Sequence, residues 1–294
     1  MIKKGIAVIG STTVDKIVKK GHTRYLKLGG VTTYSGITYS RHDIKTHIVT
    51  NVAAKDLPFI RRCLYKENIN VHAGFSEHTT HFINTINGDE RHQRIPVKAK
   101  SIARDQIMEI FDLVDCVHLG PLHPMDIESH AFPSIENSRL TIFLDAQGYV
   151  RVIKDKVVYS GVAGSLTDAL MASQIVKTDE LELEIILHHY RMNLTELMAK
   201  HKIEEFVVSR GPDGGFVKTI AGDQFEYRAV PIRLFDDSTG AGDVFFAAYI
   251  VGRYFKKKDV IEASAYAANL SARQVEGEHI KPDELCLNQI MSPK

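Results

Sequence analysis

The sequence predicts an α/β fold: a mostly parallel sheet with helices on both faces and a small β lid. Three features carry that reading. Short apolar, β-branched runs recur along the chain, helical patterns separate them, and two stretches break the rhythm. The first run, GIAVIG (Gly5 to Gly10), is continuous and ends in glycine, as a buried strand does. THIVTNVA from Thr46, CVHLGPL from Cys116, LTIFLDAQG from Leu140, SQIVKTD from Ser173 and EFVVSRG from Glu205 repeat it, each ending in polar or glycine-containing residues. Between them, DLPFIRRCLYKEN sets Leu57, Ile60 and Leu64 at helical spacing, and DELELEIILHHYRMNLTELMAKH alternates charged and apolar residues with a helical period. Strands separated by helices pair in parallel and are covered on both faces. Ligands of such sheets bind beyond the carboxyl ends of the strands, so the polar residues there are the site candidates.

Two stretches depart from this pattern. Residues 12–28, TTVDKIVKKGHTRYLKL, lack a long helical stripe. Residues 78–97, HTTHFINTINGDERHQRIPV, place FINTI and RHQRI on either side of Asn87-Gly88, a tight-turn signal. Both are expected to be extra antiparallel strands that project from the main sheet and form a lid. There are no repeats, low-complexity tracts or linker, so a single domain over residues 1–294 is expected.

The bulk composition excludes several function classes. The chain is 44% hydrophobic and 25% charged, with a formal net charge of +1, so no global field draws it to nucleic acid or an anionic membrane. Lys256, Lys257 and Lys258 form the one notable basic run, read as a solvated turn at a helix end. Cys63, Cys116 and Cys286 are far apart with no CxxC spacing, which argues against a disulfide framework or a structural zinc site. No run approaches the roughly 18 apolar residues of a membrane span. The apolar stretch in MIKKGIAVIGSTTVD is too short for a signal peptide, so a cytoplasmic protein is expected.

The segment DDSTGAGDVFFAAYIVG, Asp236 to Gly252, carries most of the functional reading. VFFAAYIVG is too uniformly apolar for a surface helix, so a central helix is expected, with Gly240, Ala241 and Gly242 in its first turn. Backbone N–H groups at a helix start lack intrahelical partners, and the helix dipole adds positive potential. Small residues there let an anion approach, which suits a phosphate or the charge of a transferring phosphoryl group. Asp243 beside them is placed to take a proton from an attacking hydroxyl. By itself GAGD is as readily an ordinary helix start. No GxxxxGK[ST] is present and the segment does not satisfy GxGxxG.

With its neighbours, this segment resembles the C-terminal signature of the ribokinase-like (PfkB) carbohydrate kinases, and further segments match in order along nearly the whole chain. The resemblance implies a three-layer α/β/α fold with a β lid. It also implies transfer of the ATP γ-phosphoryl group to an alcohol of a sugar, nucleoside or polyol, with Mg²⁺; dependence on a monovalent cation is left open. VIGSTTVDKIV resembles the family's first strand and substrate-binding aspartate, here Asp15, which suits a polyol because a carboxylate accepts from two adjacent hydroxyls. LGGVTTYSGITYSRH resembles the Gly-Gly motif that opens a helix, with Gly29 and Gly30 admitting the substrate. Tyr34 stands where the family usually has asparagine, a departure from ribose-type members. The inositol-type branch has an aromatic version of this segment, and LDAQGYVR, Leu144 to Arg151, resembles that branch too.

VKTDELELE resembles the family's NxxE element, with Asp179 in place of asparagine and Glu182 as the glutamate that orients water around Mg²⁺. VVSRGPDGGFV resembles the nucleotide-side strand and turn, and places Ser209, Arg210, Gly211 and Gly214 there. In ASAYAANLSARQ, Asn269 with Ala265 and Ala268 is expected against the adenine. Taken singly, Asp15 reads as a turn acid, Glu182 as one helix charge among several, and Pro212-Asp213-Gly214 as a good turn.

The expected function is thus an ATP-dependent kinase acting on a sugar or an inositol-like cyclitol. A nucleoside kinase of the same fold is the alternative, with Tyr34 or Phe82 stacking a base. A catalytically silent sugar-binding or regulatory protein is the third reading, against which the intact Asp243, Gly240 and Gly242 count. A sugar-phosphate acceptor is disfavoured, because Arg24, Lys27 and Arg41 are the only cations near Gly29–Gly30. His78 and His81 are expected in a strand, on opposite faces rather than as a ligand pair, and His188-His189 on a helix surface. The expected partner is a small polyol, with no nucleic acid and no membrane. The protein is expected as a monomer or as a homodimer through the lids.

Overall fold

The continuous apolar runs form the middle of one large sheet. The computed structural model describes residues 5–19, 22–65, 67–87, 90–235 and 238–286. Its strands are β1 (Ile6–Gly10), β2 (Thr13–Lys19), β3 (His22–Gly29), β4 (Thr46–Ala53), β5 (Ile69–Ser76), β6 (Thr80–Asn87), β7 (Glu90–Val97), β8 (Cys116–Gly120), β9 (Thr141–Asp145), β10 (Arg151–Lys154), β11 (Val157–Ser160), β12 (Ile175–Asp179), β13 (Glu205–Ser209), β14 (Gly215–Thr219) and β15 (Gln224–Tyr227). Its α-helices are α1 (Val31–Ser40), α2 (Leu57–Tyr65), α3 (Arg104–Met108), α4 (Phe132–Glu136), α5 (Leu166–Met171), α6 (Glu180–Tyr190), α7 (Leu194–His201), α8 (Ala241–Ile250), α9 (Val260–Val275) and α10 (Pro282–Leu285).

Among the described residues, nine strands pair in the order β15-β14-β13-β12-β9-β8-β1-β4-β5. From β13 to β5 every pairing is parallel, and β14 and β15 add an antiparallel edge. Each apolar run of the sequence falls on a strand of this parallel stretch. The side chains alternate faces: Ile6 and Val8 of β1 join one apolar cluster, Ala7 and Ile9 the other. The first cluster is closed by α1, α8 and α9 through Tyr34, Tyr39, Phe246, Tyr249 and Ala267. The second is closed by α4 to α7 through Phe132, Leu166, Ile186 and Leu197. The chain leaves β1 toward β4 and β5, then returns to β8 on the other side of β1. That reversal opens a crevice at the carboxyl ends of β1 and β8.

The second sheet has the order β10-β11-β7-β6-β2-β3 among the described residues. It contains both stretches that break the sequence rhythm, but not as antiparallel strands throughout. The β2–β3 and β6–β7 pairs are antiparallel, whereas β2 and β6 run parallel. The reason is topological: β2 continues from β1 and β6 from β5, and those two strands already point the same way. Residues 151–160 add β10 and β11, which no sequence signal marks. Gly88 of the expected tight turn lies outside the described residues.

Two helix boundaries also differ from expectation. The long amphipathic stripe after Asp179 is two helices, because Arg191 takes a left-handed conformation (φ 53°) and Asn193 caps a new start. Helix α8 begins at Ala241, with Gly240 as its cap rather than in its first turn. Its residues from Val244 to Ile250 are all buried, as the uniform apolar run requires. His81 lies on β6 but His78 precedes it, and His188 and His189 are exposed on α6. Among the described residues no helix is long and apolar enough to cross a membrane.

Candidate active site

The mouth of α8, the Gly29–Gly30 turn and the second sheet enclose one cavity of about 150 Å³. Its wall includes Asp15, Gly30 and Tyr34 from the N-terminal segments and Gly240, Gly242 and Asp243 from the C-terminal one. Residues more than two hundred positions apart thus meet at the crevice where the strand order reverses.

Backbone geometry explains the glycines. Gly30 has φ 91°, and a Cβ on it would overlap the Ser11 carbonyl. Gly29 pairs with Thr13 across β2 and β3, and a Cβ there would meet the Asp15 carboxylate. Gly240 has φ 80°, and a Cβ would run into the ring of buried Tyr34. The first turn of α8 is pinned from two sides: the Ser35 hydroxyl donates to the Asp243 carbonyl (3.2 Å), and the Ser271 hydroxyl to the Ala241 carbonyl (3.0 Å). The Ala241 N–H donates to the Ser238 carbonyl (3.1 Å). The next N–H groups, of Gly242 and Asp243, lie at the helix start, where among the described residues no backbone carbonyl accepts them.

The two aspartates differ in surroundings. Asp15 on β2 accepts from the Thr13 hydroxyl at 2.7 Å. Asp243 keeps part of its surface open to the cavity but is otherwise enclosed by protein. Burial pushes its carboxyl up to about 7, and Asp145 adds to the rise; Lys177 and Arg151 oppose it, while Asp15 adds a little more. A carboxyl titrating near neutrality is well matched to general base work.

Several groups of the wall were not singled out in the sequence. Lys177 on β12 is buried and donates to Asp145 on β9 at 3.0 Å. The Asp145 carboxylate also accepts the Gln147 N–H at 3.2 Å. Burial alone would lower the Lys177 ammonium, but Asp145, Glu182 and Asp243 outweigh it and the net shift is upward. Arg151 donates to the Leu122 carbonyl (3.0 Å) and to Gln93 (3.2 Å), and Gln93 donates to Asn84 (2.8 Å). This chain of side chains ties β6, β7 and β10 to the carboxyl end of β8. The available signals were a lysine inside an apolar strand, VKTD, and an arginine just after LDAQGYV. Among the described residues the cations at the cavity are therefore Lys177 and Arg151. Arg41 is engaged with Glu67 and Glu284, Lys27 is buried against Tyr34, and the Arg24 side chain lies outside the described residues.

The residues expected on the donor side lie beyond this cavity wall. Asp179 and Glu182 form a capping box at the start of α6: the Glu182 N–H donates to Asp179 (2.7 Å), and the Asp179 N–H to Glu182 (2.9 Å). Burial raises the Glu182 carboxyl to about 7 against the pull of Lys177, with Asp179 and Asp145 adding to the rise. The Ser209 hydroxyl donates to the Thr178 carbonyl at 3.5 Å. Arg210 is held by Glu180 (2.7 Å) and Glu226 (3.0 Å) and stacks over Phe216. Gly211 and Gly214 bound a short turn with φ 55° and 86°. Asn269 is exposed on α9, the helix packed against α8.

This architecture recurs in solved structures. A pyrophosphate-dependent kinase in the ribokinase family, solved as a sulfate complex, superposes with a TM-score of 0.81 at 23% identity, covering 94% of this chain and 96% of that one. A structure of a pyrophosphate-dependent kinase in the ribokinase family with a pyrophosphate analog and myo-inositol gives 0.80 at 22% identity, covering 92% and 95%. Ribokinase of Arabidopsis thaliana, complexed with ribose and ATP, gives 0.73 at 17% identity, covering 97% and 96%. At these identities the likeness establishes the ribokinase-like fold. A comparison with curated proteins finds no match. The description "pfkB family carbohydrate kinase" matches residues 5–279, nearly the whole length, and the chain belongs to that family.

Proposed function

We propose that this protein transfers a phosphoryl group from a phosphoanhydride donor to a hydroxyl of a cyclitol or similar polyol. One juxtaposition carries the reading: Asp15 and Asp243 face the same cavity, with Asp243 in the first turn of a buried helix whose Gly240 cap offers no side chain. Asp15, Asn84, Gln93, Gln147 and Arg151 line that cavity with groups that bond to hydroxyls. The myo-inositol bound by a structural neighbour supports a cyclitol acceptor.

In this reading Asp15 holds two neighbouring hydroxyls under a lid built from residues 12–28 and 78–97, with β10 and β11 beside them. A third hydroxyl gives its proton to Asp243 as its oxygen attacks the terminal phosphorus. The bond to the bridging oxygen breaks, and the leaving phosphate departs with the electron pair. The N–H groups of Gly240 and Gly242 at the start of α8 receive the charge of the group in flight, while that of Ala241, also expected there, is engaged by the Ser238 carbonyl. Lid closure excludes water from the reaction.

ATP is the donor the family resemblance implies, bound near Ser209, Arg210, Gly211, Gly214 and Asn269. Pyrophosphate is the second reading, favoured by the two pyrophosphate-dependent neighbours. Asp179 and Glu182, behind the cavity wall, carry hard carboxylate oxygens that would orient the waters of a hydrated Mg²⁺. When bound, Mg²⁺ neutralises phosphate charge.

A coupled assay with ATP and with pyrophosphate, each with Mg²⁺, against panels of cyclitols, sugars and nucleosides tests the proposal. Turnover of a cyclitol or sugar is expected. Asp243→Asn should lower turnover by a factor on the order of 10²–10⁴. Near-normal turnover in that variant refutes the base assignment, and activity on nucleosides alone refutes the acceptor class.

A further inference from the structure

Lys177 is placed to do more than balance a charge. It stands directly beside Asp145 in the parallel β9–β12 register, near the carboxyl ends of both strands. The two side chains therefore leave the sheet on the same face and meet at 3.0 Å. Among the described residues, Asp145 is the one hydrogen-bond partner of the ammonium, which has three N–H donors. Lys177 nevertheless lines the cavity together with Gly242 and Asp243. Its Nζ lies 3.4 Å from the position a Cβ on Gly242 would occupy. The ammonium and the helix start therefore share one patch of wall.

Burying a lysine in the middle of a sheet is costly even when it is paired. A structural role for the pair needs no opening to the cavity. The ammonium instead sits beside the N–H groups that would meet phosphoryl oxygens, and its remaining donors are available there. A fixed cation in a shielded site stabilises charge that develops in transfer more than charge already present in the ground state.

We propose that Lys177 is a catalytic cation that contacts the transferring phosphoryl group beside the Gly242 N–H, and that Asp145 is the positioning residue that holds it there. The assignment rests on the kinase reading above. Lys177 forms no bond to phosphorus; it donates hydrogen bonds to the non-bridging oxygens and keeps its proton throughout.

The test compares Lys177→Met, Lys177→Arg and the double variant Asp145→Asn/Lys177→Met, using whichever donor and acceptor the wild type turns over. Lys177→Met is expected to lower kcat on the order of 10²–10³-fold, with acceptor KM changed by less than about threefold. The double variant should be as inactive as Lys177→Met while melting cooperatively, since both buried charges are gone. Lys177→Arg should recover part of the loss. The groups facing Asp243 are Asp145, Lys177, Arg151 and Asp15. Loss of the ammonium should move the acid limb of kcat/KM to higher pH in Lys177→Met. If the double variant regains most of the wild-type kcat, Lys177 is only the counter-charge of Asp145 and the proposal falls. It also falls if Lys177→Met retains kcat. Should Lys177→Met fail to fold, the double variant decides alone. A wild type inactive with both donors on all three panels refutes the kinase reading and this assignment with it. An active wild type with an unimpaired variant refutes only the assignment.

Discussion

Replacing Asp243 with asparagine is expected to raise thermal stability, and to raise it more in mildly alkaline than in acidic buffer. The folded protein pushes this carboxyl from 3.8 to about 7, through burial first and the nearby Asp145 second. Between those two values the folded state binds more protons than the unfolded state, so stability falls as pH rises across the window. Above it the cost of holding the charge is complete. At about 1.4 kcal/mol per pH unit, the full shift is about 4 kcal/mol at about pH 8, and about 2 kcal/mol remains at about pH 5. Asparagine has no charge to desolvate and no repulsion toward Asp145 or Asp15. Part of the Asp243 surface is open to the cavity, and solvent there screens about half of the cost. For a chain of this size each kcal/mol moves Tm by about 2 °C. The variant should then melt about 4 °C above the wild type at about pH 8, and about half as far above it at about pH 5. Paired thermal melts followed by circular dichroism across that range read the difference, and groups common to both proteins cancel. A gain that does not depend on pH, or a loss at about pH 8, would refute the electrostatic account of this site.

Three further outcomes follow from the same geometry. The kcat/KM profile should rise through an acid limb at about 7, where the Asp243 carboxyl ionises, and a limb near the ordinary aspartate value of 3.8 would exclude it as the base. Gly240→Ala should destabilise the fold by about 2–5 kcal/mol, from the left-handed backbone and the overlap with Tyr34 together; denaturant titration checks this, and a cost below about 1 kcal/mol would contradict the packing described. Asp179→Ala should cost about 1 kcal/mol through loss of the reciprocal cap with Glu182, measured in the same way, and an unchanged midpoint would show that the cap contributes nothing.

Much of this architecture was legible one window at a time. GIAVIG and its counterparts announce buried parallel strands, because a strand covered on both faces has no polar side to interrupt it. VFFAAYIVG announces a central helix for the same reason, and the small residues before it mark a helix mouth with Asp243 beside it. The α6–α7 break was marked only weakly, since one residue in a left-handed conformation ends a helix without disturbing the apolar period. Asp15, Gly29, Gly30 and Tyr34 say little singly and were marked only by the family resemblance, whereas GAGD before an apolar run has its own local chemistry; the fold draws Asp15, Gly30, Tyr34, Gly240, Gly242 and Asp243 to one cavity.

What no window contained were the pairings. The parallel run of β2 beside β6, the joining of β10 and β11 to that sheet, and the contact of Gly240 with Tyr34 depend on how distant segments are brought together. Lys177 and Asp145 are 32 positions apart, and in sequence each is only a charge near the end of an apolar run. Only the β9–β12 register makes them neighbours, and only the packing of α8 against the sheet brings Gly242 beside the ammonium at the cavity. Local sequence encodes period, turn chemistry and capping, which act over a few residues. A buried ion pair needs two strands in register, and register is decided by the packing of the whole sheet.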